Sequence, residues 1–169
     1  MKKTEIVGFK RANLGRSASN QLRVEGQVPC VLYGGSEQVS FYAPAYLFRP
    51  LIFTPNAYEV TLNLEGKEYS AILKERQYHP VNDTLIHADF LEITPDKVSK
   101  ISVPVRLIGT PAGLSAGGKL QHKQRKIRLQ GPASAIPEYV DVDITKLKLG
   151  ESVKVEVIDL PGLTILDSM

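Results

Sequence analysis

The chain has 169 residues, 43% of them apolar, with no tryptophan, one cysteine and a net charge of +3. That length fits one domain or two small ones with an ordinary buried core, and the lone Cys30 excludes an internal disulfide framework and a cysteine-based zinc site. No apolar run approaches the roughly 20 residues that span a bilayer, and Met1-Lys2-Lys3-Thr4-Glu5 leads into a strand rather than a signal-peptide core, so the chain reads as cytoplasmic with no membrane partner.

In chain order, Thr4 to Phe9 reads as a strand and Ser17 to Glu25 as a short helix, entered at Ser17 and stopped by Gly26. The first 25 residues carry Lys2, Lys3, Lys10, Arg11, Arg16 and Arg23 against only Glu5 and Glu25. The basic loop from Lys10 to Arg16 therefore runs into a helix N-terminus, where backbone N–H groups and the helix dipole favour phosphate and where Arg11 and Arg16 add to the field. An ordinary exposed loop fits the same residues. Val28 to Tyr33 is a strand with Cys30 as an inert core thiol, Gly34-Gly35 turns, and Gln38 to Tyr42 returns. Pro44 to Phe53 reads as a short helix or irregular connector broken by Pro50 and Pro55. Tyr58 to Leu64 alternates, Glu65-Gly66-Lys67 turns, and Glu68 to Tyr78 goes back as a strand. A loop at Pro80 to Asp83 leads into Leu85 to Ile93.

The last of these strands carries the main functional signal. In Ile86-His87-Ala88-Asp89-Phe90 the apolar residues alternate with His87 and Asp89, so one face turns inward and the other shows an imidazole and a carboxylate together. A solvated strand face would show the same alternation. Side chains two apart on a strand point in parallel and seldom form a catalytic acid–base pair. No nucleophile elbow accompanies them, which argues against a hydrolase built on His87 and Asp89.

About six strands and one or two short helices in the first 93 residues predict a small closed or nearly closed β-barrel. Residues 94–97, Thr-Pro-Asp-Lys, read as a linker, and residues 98–169 as a second, C-terminal β-domain. There Val98 to Ile108 is a strand interrupted by Pro104. The loop Gly113 to Lys119 is followed by Leu120 rather than the Ser or Thr of a nucleotide-binding phosphate loop, so no cofactor is expected. A second basic run, Lys119 to Arg128, contains no acid, and either a phosphate backbone or plain solvent would suit it. Leu120 to Gln130 alternates weakly, Pro132 to Pro137 turns, Tyr139 to Ile144 alternates strictly, and Ser152 to Ile158 reads as a strand. Asp141 and Asp143 share a face, which is more simply a wet strand side than a metal site.

Gly15-Arg16-Ser17-Ala18-Ser19-Asn20-Gln21-Leu22-Arg23-x-x-Gly26, Val28-Pro29-Cys30-Val31-Leu32-Tyr33-Gly34-Gly35, Gln77-x-His79-Pro80-Val81 and Leu85-Ile86-His87-Ala88-Asp89-Phe90 fall in one order. Together they resemble the bacterial large-subunit ribosomal protein L-twenty-five family, in its two-domain general stress form. The distal half resembles the longer members in Gly117-Gly118-x-Leu120, Ile136-Pro137-x-x-x-x-Val142-Asp143-Ile144 and Leu147-x-Leu149-Gly150-x-Ser152, although after Leu166 the chain stops sooner than that family suggests. The resemblance implies a non-catalytic constituent of the large ribosomal subunit that binds 5S ribosomal RNA, next to neighbouring ribosomal proteins, and is a monomer off the ribosome.

By the same resemblance Arg11, Arg23, Tyr33, Gln77, His87 and Asp89 hold the RNA, with Arg16 beside them. The arginines would fork onto phosphates, Tyr33 would stack or donate to a ribose, and Gln77, His87 and Asp89 would reach base edges and 2′-hydroxyls across a wide, shallow minor groove. His79 is the weaker candidate, with packing against Pro80 as its plainer role. Asn20, Gln21 and Tyr78 stand where relatives are often basic, which implies a shallower salt dependence. A stress-related protein-interaction adaptor that does not need RNA is the alternative.

Overall fold

The computed structural model describes residues 2–54, 56–94, 98–115, 117–154, 158, 160 and 162–167, and of Ser134 the backbone. Two compact units emerge, Met1–Pro95 and Asp96–Met169. Of the expected linker 94–97, Pro95, Asp96 and Lys97 lie outside the described residues.

The first unit comprises β1 (Lys2–Lys10), α1 (Arg16–Val24), β2 (Gln27–Tyr33), β3 (Val39–Pro44), a 3-10 turn at Ala45–Phe48, α2 (Arg49–Phe53), β4 (Tyr58–Leu64), β5 (Lys67–Tyr78) and β6 (Leu85–Glu92). The strands close a barrel in the order β1-β3-β2-β6-β5-β4, as the alternating sequence implies. β1 with β4 and β2 with β6 run parallel, and the other neighbours are antiparallel. Inward residues such as Val28, Cys30 and Leu32 on β2 and Ala88 and Phe90 on β6 are buried. Phe41 and Phe48 pack on Phe90 at ring-centroid distances of 5.8 and 6.2 Å. Burying each such side chain contributes on the order of 1.5–3 kcal/mol. Gly8 admits that packing, since a Cβ there would stand 2.8 Å from Phe41 Cδ2. The hairpin between β4 and β5 turns on Glu65 and Gly66, both with positive φ, which matches the twist of the flanking strands.

The second unit holds β7 (Val98–Ile108), α3 (Ala112–Ser115), β8 (Lys126–Pro132), a 3-10 turn at Ala133–Ala135, β9 (Val140–Asp143) and β10 (Thr164–Ile165). They form a curled four-stranded sheet, β10-β8-β7-β9.

Several local expectations change. α1 starts at Arg16 with Gly15 at the N-cap, one residue before Ser17, and Ser19 rather than Ser17 bonds back to the Gly15 carbonyl. Pro50 does not break its segment. It sits in the first turn of α2, where a missing N–H costs nothing. Pro104 does not interrupt β7 either, because it falls where the strand changes neighbour, from β8 up to Pro104 to β9 from Val105. Within the weakly alternating stretch Leu120 to Gln130, strand structure begins at Lys126. Of the strand expected at 152–158, residues 152–154 and Ile158 are not in strand conformation and 155–157 lie outside the described residues.

Candidate nucleic-acid interface

Because side chains alternate in and out along a strand, barrel closure decides which polar groups share a wall. β6 lies between β2 and β5, with Val31 and Glu75 both opposite Asp89 and with Gln77 opposite His87. A register shift between Leu73 and Glu75 keeps Glu75 and Gln77 on the outer side while Leu73 faces the core. The outer face of β2, β6 and β5 therefore presents Tyr33, His87, Asp89, Glu75 and Gln77 as one surface.

His87 and Asp89 are each about one-quarter exposed, and Nδ1 of the imidazole stands 3.0 Å from Oδ1 of the carboxylate. The shared face expected of the two residues thus carries a direct contact as well. The sheet's twist lets the imidazole lean along the strand onto its neighbour. A neutral His87 donating Nδ1–H to Asp89 keeps Nε2 as an acceptor, which suits a base amino group or a 2′-hydroxyl. Tyr33 titrates above its ordinary value of 10.0, first through partial burial and then through the carboxylates of Asp89 and Glu75. Its hydroxyl thus remains a donor on a wall with two anionic groups.

α1 packs against β2 and borders this wall. Arg23, in its last turn, donates Nε–H to the Ile86 carbonyl at 3.1 Å and Nη1–H to Asn20 Oδ1 at 3.0 Å. Asn20 thus holds Arg23 in place rather than adding charge. Arg11 is tied within the chain through one end of its guanidinium. Its Nη2 donates to Ser19 Oγ at 2.8 Å and to the Asn13 carbonyl at 3.2 Å, which folds the 11–15 loop onto the helix. Its Nε is buried and lacks a hydrogen-bond partner among the described residues. Arg16 is exposed at the first helical position. Arg23, Tyr33, Gln77, His87 and Asp89 are thus brought together, and Arg11 reaches Ser19, one turn from Arg23 on α1, while Arg16 stands at the opposite end of α1, roughly 10 Å along its axis.

His79 belongs to the turn between β5 and β6. Its Nδ1 accepts the Val81 N–H at 3.3 Å and its backbone bonds Thr84 and Asp83. Cys30 points into the core and its thiol is pushed far up, by desolvation above all, so it offers His87 no nucleophile. Among the described residues no group of three or more His, Cys, Asp or Glu is placed to hold a metal ion.

Comparison with known proteins decides the family. Residues 6–90 match the Ribosomal L25p family and residues 98–169 match the family described as Ribosomal protein TL5, C-terminal domain. The chain belongs to the Ribosomal L25p family. Among its relatives, the Large ribosomal subunit protein bL25 of Amoebophilus asiaticus is 46% identical over 166 residues, covering 98% of this chain and 85% of that one. The proteins of the same name from Cytophaga hutchinsonii and Porphyromonas gingivalis are 44% and 42% identical, covering 99% of this chain and 88% of each relative. L25p proteins are structural ribosomal proteins and not enzymes, which removes the hydrolase reading of His87 and Asp89.

Within the L25p barrel, sequence reasoning missed Glu75. It carries no motif of its own and is brought opposite Asp89 only by the shifted register of β5. Two carboxylates directly opposite each other disfavour the sheet, and a donor-rich partner would relieve that.

Proposed function

We propose that this chain, a large-subunit ribosomal protein by family, binds 5S ribosomal RNA through the outer wall formed by β2, β6 and β5 and bordered by α1. The observation that carries this reading is the register that sets Gln77 opposite His87 and Asp89 beside it, with Arg23 tied to the Ile86 carbonyl of the same strand. Gln77, His87 and Tyr33 offer donors and acceptors to base edges and 2′-hydroxyls. Asp89 orients His87, and Arg23, Arg16 and Arg11 supply positive charge toward phosphates. Held by strands, these groups lose little freedom on binding. The function is non-catalytic, and the setting is the ribosome in the bacterial cytoplasm.

The test is a titration of the intact protein with 5S RNA fragments at two salt concentrations. Wild type should prefer one internal loop. His87→Ala and Gln77→Ala should each weaken binding roughly tenfold, on the order of 1–3 kcal/mol for a specific contact, with melting temperatures close to wild type. Equal affinity for all fragments, insensitive to both substitutions, would favour the adaptor alternative instead.

A further inference from the structure

The acid-free run from Lys119 to Arg128 holds five basic side chains, and the barrel wall makes no use of it. Charge is also unevenly shared along the chain. Residues 1–95 carry ten Lys and Arg against ten Asp and Glu, whereas residues 96–169 carry eleven against eight. The chain's net positive excess therefore comes from residues 96–169.

Internal pairing sorts the cations of that unit. Arg128 is clamped by Asp167, which accepts its Nε–H and its backbone N–H at 2.7 Å each. Arg106 is held bidentately by Asp141 at 2.7 and 2.9 Å and lies 3.9 Å over the Tyr139 ring. Asp143 accepts from Thr145, and Glu151 from the Lys148 backbone. These carboxylates are turned to their own partners. Lys119, Lys123 and Arg125 are instead exposed, on a segment without regular secondary structure. Its C-terminal end is tied to the sheet. Val105 N–H donates to the Arg125 carbonyl at 3.0 Å, and the Gln124 side chain hydrogen-bonds Asp167. His122 and Gln124 are half-buried while Gln121, Lys123 and Arg125 face outward. Lys123 and Arg125, two apart in sequence, have Cα atoms at most roughly 7 Å from each other, a step that a phosphodiester backbone can follow.

We propose that the second unit makes its own sequence-independent contact with a ribosomal RNA backbone, through Lys119, Lys123 and Arg125. It adds to the barrel reading without relying on it, because backbone neutralisation needs no particular loop. Arg125 offers a planar fork and the lysines offer point charges, and each phosphate neutralised releases counterions. The strip carries no aromatic anchor of the kind that concentrates binding energy between proteins. RNA is therefore a better match than an acidic protein.

The experiment titrates the full chain and its Lys119→Gln/Lys123→Gln/Arg125→Gln variant with deproteinised large-subunit ribosomal RNA, between about 0.05 and 0.2 M salt. The log–log salt slope of the variant should be shallower by about three, roughly one unit for each phosphate left without its cation. The charge-preserving variant Lys119→Arg/Lys123→Arg/Arg125→Lys should keep the wild-type slope. Equal slopes for wild type and the Gln variant overturn the proposal. So does a variant that binds free RNA normally yet fails on protein-containing subunits, since the strip would then face an acidic protein. His87→Ala in parallel separates the two readings: a silent His87→Ala beside a shallower Gln-variant slope counts against the barrel wall alone.

Discussion

At the residue scale the wall is governed by which group holds a proton and which offers a lone pair. Asp89 touches both His87 and the surroundings of Tyr33, so changing its charge should register on the phenol. A phenol whose folded value is raised favours the folded state below its unfolded value near 10, and that contribution is lost as pH rises through the folded value. Asp89→Asn removes one of the two carboxylates that raise it. The Tyr33 ionisation midpoint, followed by phenolate absorbance or by its ring NMR signals, should therefore fall relative to wild type. A midpoint that does not move would place the Tyr33 hydroxyl away from Asp89. His87 and Asp89 were legible as a pair because alternation alone fixes a shared face. Glu75 was not, since its position depends on a register shift within β5 that leaves no compositional trace.

At the element scale, strand existence was legible nearly throughout the first unit, because one buried face imposes a strict period of two. Helix ends and proline effects were not. Pro50 and Pro104 are tolerated through context, a first helical turn and a change of strand neighbour, that local sequence does not encode. Hardest of all was β10, two residues long, which pairs Thr164 with Gln130 and Ile165 with Leu129. So short a strand depends on the clamp beside it, where Leu166 N–H reaches the Arg128 carbonyl and Asp167 accepts from Arg128. The hydrogen bonds from Arg128 hold the Asp167 carboxyl below its ordinary value of 3.8. A depressed carboxyl stabilises the folded state above that value and ceases to do so as pH falls through the folded one. Protection of the Ile165 and Leu166 amides, relative to their intrinsic exchange rates, should accordingly fall in acid below about pH 4 before the β7–β8 ladder opens. Asp167→Asn should exchange fast already at neutral pH, and protection independent of both pH and this substitution would deny the clamp its role.

At the scale of the whole molecule, the barrel core is drawn entirely from residues between Ile6 and Phe90, so the first unit contains everything needed to bury its own interior. The candidate RNA wall uses only residues of that unit, whereas the exposed cations Lys119, Lys123 and Arg125 belong to the other. On the proposed reading, loop preference belongs to the first unit and part of the charge to the second. A fragment of residues 1–95 should therefore fold alone, protect the Cys30 thiol from labelling as the full chain does, and keep the preference for one 5S internal loop. On deproteinised large-subunit RNA the same fragment should show a salt slope shallower by about three than the intact protein. In the full chain, urea should expose Cys30 and release the β7–β8 amides at different concentrations, because units with separate cores need not unfold together. Coincident transitions, together with a fragment that leaves Cys30 reactive, would mean that the barrel closes only with the second unit attached, and loop preference and salt dependence would then have to rise and fall as one property.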